Sequence, residues 1–340
     1  MESLKPLEGI FSAVPTFFDD DEAVDVSALL QLMAWQLKPH HLDQFLPKSL
    51  DAHLSDAHLG NHLSQGVQGL GDSVSGFVLY GTTGEAPCLS ASEKEQITSL
   101  AKEHFPQSVM IAGIGTNSTK STIENAQQAR DWGADAGLLV TPYYNRPSQE
   151  GLYQHCLKVA ESVADWPLVL YVVPSRTGIT LEIETVDRLL SACPQIISIK
   201  DASADLSYCA ELIACCEGRA TVLSGDDPTA LASWAIGARG SISVGSNLFP
   251  AEMMRLWKLF NQGALAEAQK LFMKLHPLIR ALFIETNPSP LKAALAQLSQ
   301  QGLLAKVSPL NPSVRLPLSQ LQSESQDSLI KALHQYLIQP

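Results

Sequence analysis

Apolar and polar positions follow a regular alternation along most of the chain, from about residue 9 to residue 246. Short runs that are apolar or β-branched throughout are separated by longer stretches in which apolar residues recur at helical spacing. Strands that are apolar on both faces are typical of a parallel sheet covered by helices. We predict strands at residues 9–17, 76–80, 109–113, 137–140, 168–171, 196–200, 220–224 and 240–244.

Helical periodicity lies between these strands, for example at residues 92–104, 119–132 and 149–164. Eight βα units in about 240 residues fit a (β/α)8 barrel, the TIM barrel, better than an open doubly wound sheet. After the last strand the pattern is helical, with Pro- and Ser-rich breaks at residues 308–313 and 316–325. We therefore predict an α/β fold in which residues 1–248 form a (β/α)8 catalytic barrel and residues 249–340 form a C-terminal helical extension and tail.

Residues 38–75, called here the insertion, do not fit this alternation because they are far longer than a usual connection between elements. The segment contains five of the nine histidines: His40, His41, His53, His58 and His62. Spacings of five and four separate the last three, which does not place them on one helical face. We expect a solvated helical excursion without a metal site, and we assign it no function.

Charge and cysteine content narrow the class of protein. The 340 residues contain 23 Lys and Arg against 35 Asp and Glu, and no basic cluster stands out. Nucleic acid and anionic membranes are therefore not expected as partners. The six cysteines form no C-x-x-C pair, which is typical of reduced thiols, and no apolar run has the length of a signal or membrane segment. We expect a cytoplasmic enzyme.

Lys200 is the strongest candidate for chemistry because it ends the apolar run 196–200. At the end of a buried strand a lysine has left bulk water, which disfavours its charged form. A neutral amine can attack a carbonyl and form a Schiff base. The alternative is a lysine whose ammonium extends into solvent.

Further candidates follow other strands, since the reacting groups of a (β/α)8 barrel come from the C-terminal strand ends. Two glycines and two threonines at residues 81–85 could present hydroxyls and N–H groups to a carboxylate, or could form a plain turn with capping threonines. The Tyr171 phenol could move protons beside Lys200, or simply pack. Arg176 could hold a substrate carboxylate, or form a surface salt bridge.

The loop after the seventh strand contains Gly225, Asp226 and Asp227. The corresponding loops of other barrels often bind phosphate through backbone N–H groups. Two adjacent acids argue against a bound anion here, so we predict that Asp226 and Asp227 cap helices.

These motifs together resemble the dihydrodipicolinate synthase family, within the pyruvate-dependent class I aldolases and lyases that include N-acetylneuraminate lyase. The most specific elements are residues 81–85, 141–147, 173–178 and 199–200, and the similarity covers about residues 8–305 apart from the insertion. The resemblance implies a TIM-barrel lyase of lysine and diaminopimelate biosynthesis that joins pyruvate to L-aspartate 4-semialdehyde. It also implies a homodimer or homotetramer and a reaction without a metal or organic cofactor.

The resemblance also implies a role for each site residue. Lys200 would form the Schiff base with pyruvate, and Tyr171 would be the central proton shuttle. Thr82 would link Tyr171 to Tyr144, which in this family reaches across a dimer interface into the neighbouring site. Thr83 would receive the pyruvate carboxylate.

The resemblance implies roles for three further residues. Gly225 and Ile242 would line the Schiff-base pocket through their main chain, and Arg176 would favour the semialdehyde over a sugar acid. The chain departs from the family at Val172, where the family often has Asn, and at Asp201, where it often has Glu. Neither position carries the chemistry, so the expected activity is unaffected.

Two other functions compete with this one. A lyase for a sialic or keto-deoxy sugar acid would share the lysine and the tyrosine, but would not be expected to carry Ser175, Arg176 and Thr177 in this form. A non-catalytic barrel that binds a small acid would not need a lysine beside a tyrosine relay.

Feedback inhibition is a further expectation from the resemblance. Many relatives are inhibited by lysine, which binds to polar or acidic groups at the dimer interface. This chain has Ala86 and Pro87 there, with basic Lys94 nearby, although Asn117 and Tyr143 could still hold an amino-acid head group. A cation near Lys94 meets repulsion, so we expect weak or absent inhibition by L-lysine.

Overall fold

The computed structural model describes residues 6–38 and 73–338. Eight parallel strands close into a barrel in which each strand pairs with the next and the last pairs with the first. This confirms the predicted TIM barrel. The strands are β1 Gly9–Ala13, β2 Gly76–Leu79, β3 Val109–Gly113, β4 Ala136–Val140, β5 Leu168–Val172, β6 Ile196–Asp201, β7 Thr221–Ser224 and β8 Gly240–Ser243.

The helices of the described residues surround this barrel and extend beyond it. Five of the twelve, α1, α2, α3, α4 and α7, begin at a side-chain cap. At α2 the Ser90 hydroxyl and Glu93 form a reciprocal capping box. The helices are α1 Val26–Leu37, α2 Ala91–His104, α3 Thr119–Asp131, α4 Gln149–Ser162, α5 Pro174–Thr177, α6 Ile183–Ala192, α7 Leu206–Cys216, α8 Ala230–Ala235, α9 Pro250–Asn261, α10 Leu265–Ala281, α11 Ser289–Gln300 and α12 Ser323–Ile338.

Two apolar clusters hold the barrel together. An inner cluster fills the space enclosed by the strands and includes Phe11, Tyr171 and Ile242. A larger outer cluster lies between strands and helices. The predicted first strand, residues 9–17, is too long because Phe17 belongs to this outer cluster and not to the sheet. Because Phe17 is buried between strands and helices, the apolar run in the sequence continues past the end of β1.

The C-terminal part packs on the barrel through helices. Helix α9 contacts β1, so the first helix of the predicted extension completes the eighth βα unit. Helix α10 then packs on α9 and α12, and α11 packs on α12. The division at residues 248 and 249 stays a prediction. The histidines of the insertion, and the expectation about metal there, lie outside the described residues.

Among the described helices, we find none with the length and hydropathy that a bilayer-spanning segment requires.

Candidate active site

Lys200 and Tyr171 lie side by side at the C-terminal end of the barrel. The register of β5 and β6 pairs Tyr171 directly with Lys200. Only 5% of the lysine is exposed, and its Nζ atom lies 4.2 Å from the centroid of the Tyr171 ring. The alternative of a lysine that extends into solvent is therefore wrong. The amine instead lies beside a phenol ring inside the barrel mouth.

Gly225 provides the space that the Lys200 side chain occupies. A Cβ atom at this position would lie 2.7 Å from Lys200 Cε and 2.9 Å from Lys200 Cγ, closer than real Cβ atoms approach. The Gly225 N–H also donates to the carbonyl of Asp201 at 2.6 Å. Ile242 is buried in the inner cluster that contains Tyr171. Of the two predicted pocket residues, Gly225 thus directly follows β7, and Ile242 lies near the C-terminal end of β8.

Residues 81–85, called here the Thr-Thr turn, follow β2 and include two hydroxyl side chains. The Thr16 hydroxyl donates to the carbonyl of Gly84 at 2.8 Å, which ties the turn to the segment after β1. Glu85 adopts a left-handed conformation with φ of 55°. For a residue other than glycine this costs about 1–2 kcal/mol, so other contacts must hold the turn in place.

The two threonines of this turn make different contacts. Thr82 Oγ1 lies 3.4 Å from the hydroxyl of Tyr171, at the outer limit of hydrogen bonding. Thr83 is buried, and its Oγ1 accepts from Asn287 Nδ2 at 2.9 Å. The structure therefore brings three of the predicted catalytic residues, Lys200, Tyr171 and Thr82, into one group.

Asn287 is a site residue that the sequence did not indicate. It lies between α10 and α11, and its carbonyl accepts from Arg176 Nη2 at 3.3 Å while its amide donates to Thr83. Its Oδ1 atom is buried and has no hydrogen-bond partner among the described residues. Asn287 thus connects the two residues predicted to bind the carboxylates of the two substrates.

Arg176 lies on α5, a single helical turn where the sequence indicated only a loop bounded by Pro174 and Gly178. The side chain is exposed, and we find no salt bridge to it within residues 6–38 and 73–338. The alternative of a surface ion pair is therefore wrong for this arginine. Its remaining N–H groups are available at the rim of the barrel.

Tyr144 differs from the other catalytic candidates in being almost fully exposed. It has a φ of 70° and is 91% exposed, and the two residues that follow it make polar contacts. Asn145 Nδ2 donates to the carbonyl of Asn117 at 2.8 Å, and Arg146 Nε donates to the carbonyl of Gly178 at 3.2 Å. Within one chain, this tyrosine does not join the relay of Tyr171.

A fully buried ion pair lies under the Thr-Thr turn. Lys292 Nζ on α11 is 2.9 Å from Glu85 Oε1, and the backbone N–H of Arg315 donates to Glu85 Oε2 at 2.9 Å. Burial lowers the pKa of Lys292, and the charge of Glu85 opposes that shift. The sequence did not indicate this pair.

Asp226 caps a helical turn, as predicted, whereas Asp227 is the first residue of that turn and makes a different contact. Asp226 Oδ2 accepts from the N–H of Thr229 at 3.1 Å and caps the short turn that follows it. Asp227 instead accepts from the N–H groups of Val244 and Gly245, at 2.9 and 2.7 Å, after β8. Burial raises the pKa of Asp227, whereas these hydrogen bonds lower it.

Comparison with known proteins points to one family. A sequence profile of the Dihydrodipicolinate synthetase family matches residues 61–336. A 4-hydroxy-tetrahydrodipicolinate synthase from Thermomicrobium roseum is 43% identical over 265 residues, which is 78% of this chain and 84% of the relative. The enzyme of the same name from Oleidesulfovibrio alaskensis is 40% identical over 304 residues, 89% of this chain and 96% of the relative.

Solved structures agree with the sequence comparison. The 4-hydroxy-tetrahydrodipicolinate synthase of Methylacidiphilum fumariolicum SolV superposes with a TM-score of 0.82 at 34% identity, covering 97% of this chain and 96% of that one. The lysine-bound enzyme from Cyanidioschyzon merolae superposes with a TM-score of 0.80 at 28% identity, covering 98% and 99% of the two chains.

Proposed function

Since the chain belongs to the dihydrodipicolinate synthetase family, we propose that Lys200 forms a Schiff base with pyruvate and that the resulting enamine attacks L-aspartate 4-semialdehyde. The activity is that of 4-hydroxy-tetrahydrodipicolinate synthase, a lyase of diaminopimelate and lysine biosynthesis. The observation that carries the assignment of Lys200 is its buried amine, 4.2 Å from the Tyr171 ring at the end of the adjacent strand.

The proposed reaction begins when the Lys200 amine attacks the carbonyl of pyruvate and water leaves, which forms the imine. The imine accepts the electron pair when a proton leaves the pyruvate methyl group, and an enamine results. The enamine carbon then bonds to the aldehyde carbon of the semialdehyde, whose oxygen takes up a proton. Finally the amine of the semialdehyde attacks the imine carbon, closes the ring and releases Lys200.

Tyr171 and Thr82 are the proposed proton carriers in these steps. The phenol lies beside the amine, and the Thr82 hydroxyl lies 3.4 Å from the phenol oxygen, so a proton can pass along them as the contact tightens with substrate bound. Because the imine itself is the electron sink, the proposal includes no metal or organic cofactor.

Thr83 is the proposed partner of the pyruvate carboxylate. Its oxygen accepts from the Asn287 amide, which leaves its own O–H hydrogen to donate elsewhere. A hydroxyl that donates to a carboxylate forms a charge-assisted hydrogen bond, the stronger kind. Gly225 and Ile242 line the pocket in which the imine would form.

Arg176 is the proposed partner of the semialdehyde carboxylate, at the rim of the barrel. A coupled assay tests this choice of second substrate: purified enzyme is given pyruvate with L-aspartate 4-semialdehyde and, separately, sialic and keto-deoxy sugar acids. We expect condensation of the semialdehyde and no cleavage of the sugar acids. Cleavage of a sugar acid at the higher rate would favour the competing lyase.

Tyr144 supports a proposed homodimer, alone or as half of a homotetramer. A tyrosine that is 91% exposed with a positive φ is suited to reach a second copy of the chain. In that arrangement it would complete the Tyr171 relay of the partner subunit.

Subunit mixing tests this arrangement. We expect Tyr144→Phe and Lys200→Ala to be nearly inactive alone, and a mixture to regain activity because each heterodimer contains one complete site. No recovery after verified subunit exchange would place Tyr144 outside the relay of the partner.

The proposal also includes a cytoplasmic location and weak or absent inhibition by L-lysine. A titration of L-lysine at sub-saturating pyruvate tests the second point. Half-inhibition at sub-millimolar lysine would contradict it.

A further inference from the structure

The C-terminal extension contacts the Thr-Thr turn at three places. Asn287 Nδ2 donates to Thr83, Lys292 Nζ pairs with Glu85 Oε1, and the backbone N–H of Arg315 donates to Glu85 Oε2. The three distances are each 2.9 Å, across more than 200 residues of sequence. The turn that holds two site hydroxyls is thus fixed from outside the strands of the barrel.

We infer that Lys292 is a positioning residue, whose buried ion pair with Glu85 sets the conformation of the Thr-Thr turn and thereby the placement of Thr82 and Thr83. This inference rests on the proposed function, in which Thr83 binds the pyruvate carboxylate and Thr82 belongs to the proton relay.

The backbone of Glu85 explains why an anchor is needed. Its φ of 55° lies in the left-handed region, which residues other than glycine rarely adopt. Such a conformation persists only when the surrounding contacts determine it. Here both carboxylate oxygens are engaged, one by Lys292 and one by Arg315, so the side chain holds the backbone of its own residue.

The surroundings of Lys292 restrict it to this partner. Both side chains of the pair are 0% exposed, and the ammonium lies 4.5 Å from the ring centroid of Phe18 and 6.0 Å from that of Phe17. A buried ammonium without its carboxylate is strongly unfavourable in such apolar surroundings. A shift of Glu85 would separate the pair, so the interaction opposes movement of the turn.

Arg315 extends the same anchoring to the end of the turn. Its Nη1 atom donates to the carbonyl of Cys88 at 2.7 Å and to Glu93 Oε2 at 3.1 Å. Its guanidinium carbon lies 4.3 Å from the centroid of the Phe18 ring. The segment after α11 therefore holds both the carboxylate of Glu85 and the residues that follow it.

Position matters here because small displacements of binding groups have large effects on rate. Glu85 is two residues from Thr83, and a misplacement of about 1 Å can reduce a rate about 100-fold. A role in positioning predicts changed kinetics even in a protein that remains stably folded. A role in stability alone does not.

The test begins with Lys292→Met, which keeps an unbranched side chain of similar length and removes the charge. We expect the pyruvate KM to rise and kcat to fall, each by about tenfold or more. Borohydride should still trap pyruvate on Lys200 at saturating pyruvate, because the amine and Tyr171 are untouched. An unchanged KM and kcat would overturn the inference.

A matched control uses the same substitution at another ion pair. Lys102 Nζ is 2.8 Å from both oxygens of Asp135, which precedes β4 at the opposite end of the barrel. We expect Lys102→Met to lower the melting temperature and to leave the pyruvate KM unchanged. An equal rise of KM in this variant would overturn the inference, because general loss of stability would then explain both.

The double variant Glu85→Gln/Lys292→Met separates positioning from stability. Removing both charges leaves no unpaired buried ion, so the melting temperature should return toward that of the unaltered protein. The pyruvate KM should stay high, because the turn has still lost its anchor. Recovery of KM together with the melting temperature would overturn the inference.

Failure of the inference and failure of the proposed function are distinguishable. If pyruvate is not trapped on Lys200 in the unaltered enzyme, the proposed function is wrong, and the inference that rests on it is overturned with it. If trapping is normal but Lys292→Met has unaltered kinetics, only the role of Lys292 is wrong.

Discussion

The barrel mouth and the helical extension each contain a buried lysine, and the two lysines have opposite surroundings. Lys200 ends β6 with its amine 4.2 Å from a phenol ring, and within the described residues no carboxylate lies within ion-pair distance of it. Lys292 on α11 is paired at 2.9 Å with the carboxylate of Glu85. Their exposures, 5% and 0%, do not distinguish them.

The charged partner and the neighbouring residues, more than burial, therefore distinguish the proposed nucleophile from the proposed anchor. Beside Lys200 a glycine leaves room for the lysine side chain, which a Cβ atom would crowd at Cε and Cγ. Around Lys292 a carboxylate and two aromatic rings fill the surroundings of the ammonium. A lysine held in this way is suited to fix a backbone, and one held like Lys200 is suited to covalent chemistry.

The largest expected effect is that of removing the nucleophile. Lys200→Ala should reduce turnover on the order of a thousandfold or more, because no other group supplies the imine. Steady-state kinetics with both substrates measure this loss. If Lys200→Ala keeps more than a tenth of the activity, Lys200 is not the nucleophile, and the proposed difference between the two lysines is wrong.

The second prediction concerns stability, where substitution of Lys292 should have a larger effect than substitution of Lys200. Lys292→Met should lower the free energy of unfolding by about 3–5 kcal/mol, because it leaves the Glu85 carboxylate buried without its partner. Lys200→Met leaves no carboxylate unpaired, so its free energy of unfolding should stay close to that of the unaltered protein. Denaturant unfolding compares the two, and equal losses would show that the partner does not matter.

A third cation, Arg176, differs from both lysines because it is exposed. Within the described residues its guanidinium donates only to the carbonyl of Asn287. Arg176→Ala should raise the KM for the semialdehyde by an amount equivalent to roughly 2–4 kcal/mol, while trapping of pyruvate survives. The control is Arg188→Ala, which removes an exposed ion pair with Glu150. A KM unchanged by the first substitution would show that the carboxylate is held elsewhere.

The smallest expected effect tests the free space around the nucleophile. Gly225→Ala places a methyl group 2.7 Å from Lys200 Cε unless the side chain moves, so kcat should fall by about tenfold. Gly218→Ala is the control for added volume, since no atom lies within 4 Å of its added Cβ. Its φ of +72° strains an alanine, so it should lower stability but leave kcat unchanged. Unaltered kinetics in Gly225→Ala would show that the space is not needed.

Much of this picture was accessible from the sequence because its signals are local. A barrel strand is a short apolar run, and Lys200 stands at the end of one, so its position in the barrel mouth follows from a few neighbouring letters. The same holds for Tyr171, which the register of adjacent strands brings to Lys200.

The missed residues act through contacts across long stretches of sequence. Asn287 meets Thr83 across 204 positions, and Lys292 meets Glu85 across 207. In its own helix Lys292 has the pattern of an ordinary polar position, whereas its buried neighbours Phe17, Phe18 and Glu85 are distant in sequence. The contact of Arg176 with the Asn287 carbonyl also spans 111 positions, and a backbone carbonyl has no signal in sequence.

The most direct test of the account is to treat the enzyme with borohydride in the presence of pyruvate and to identify the modified peptide by mass spectrometry. We predict a reduced pyruvate adduct on the peptide that contains Lys200 and none on the peptide that contains Lys292. An adduct on Lys292 or on any other lysine, with Lys200 unmodified, would contradict the distinction between the two residues and the proposed mechanism with it.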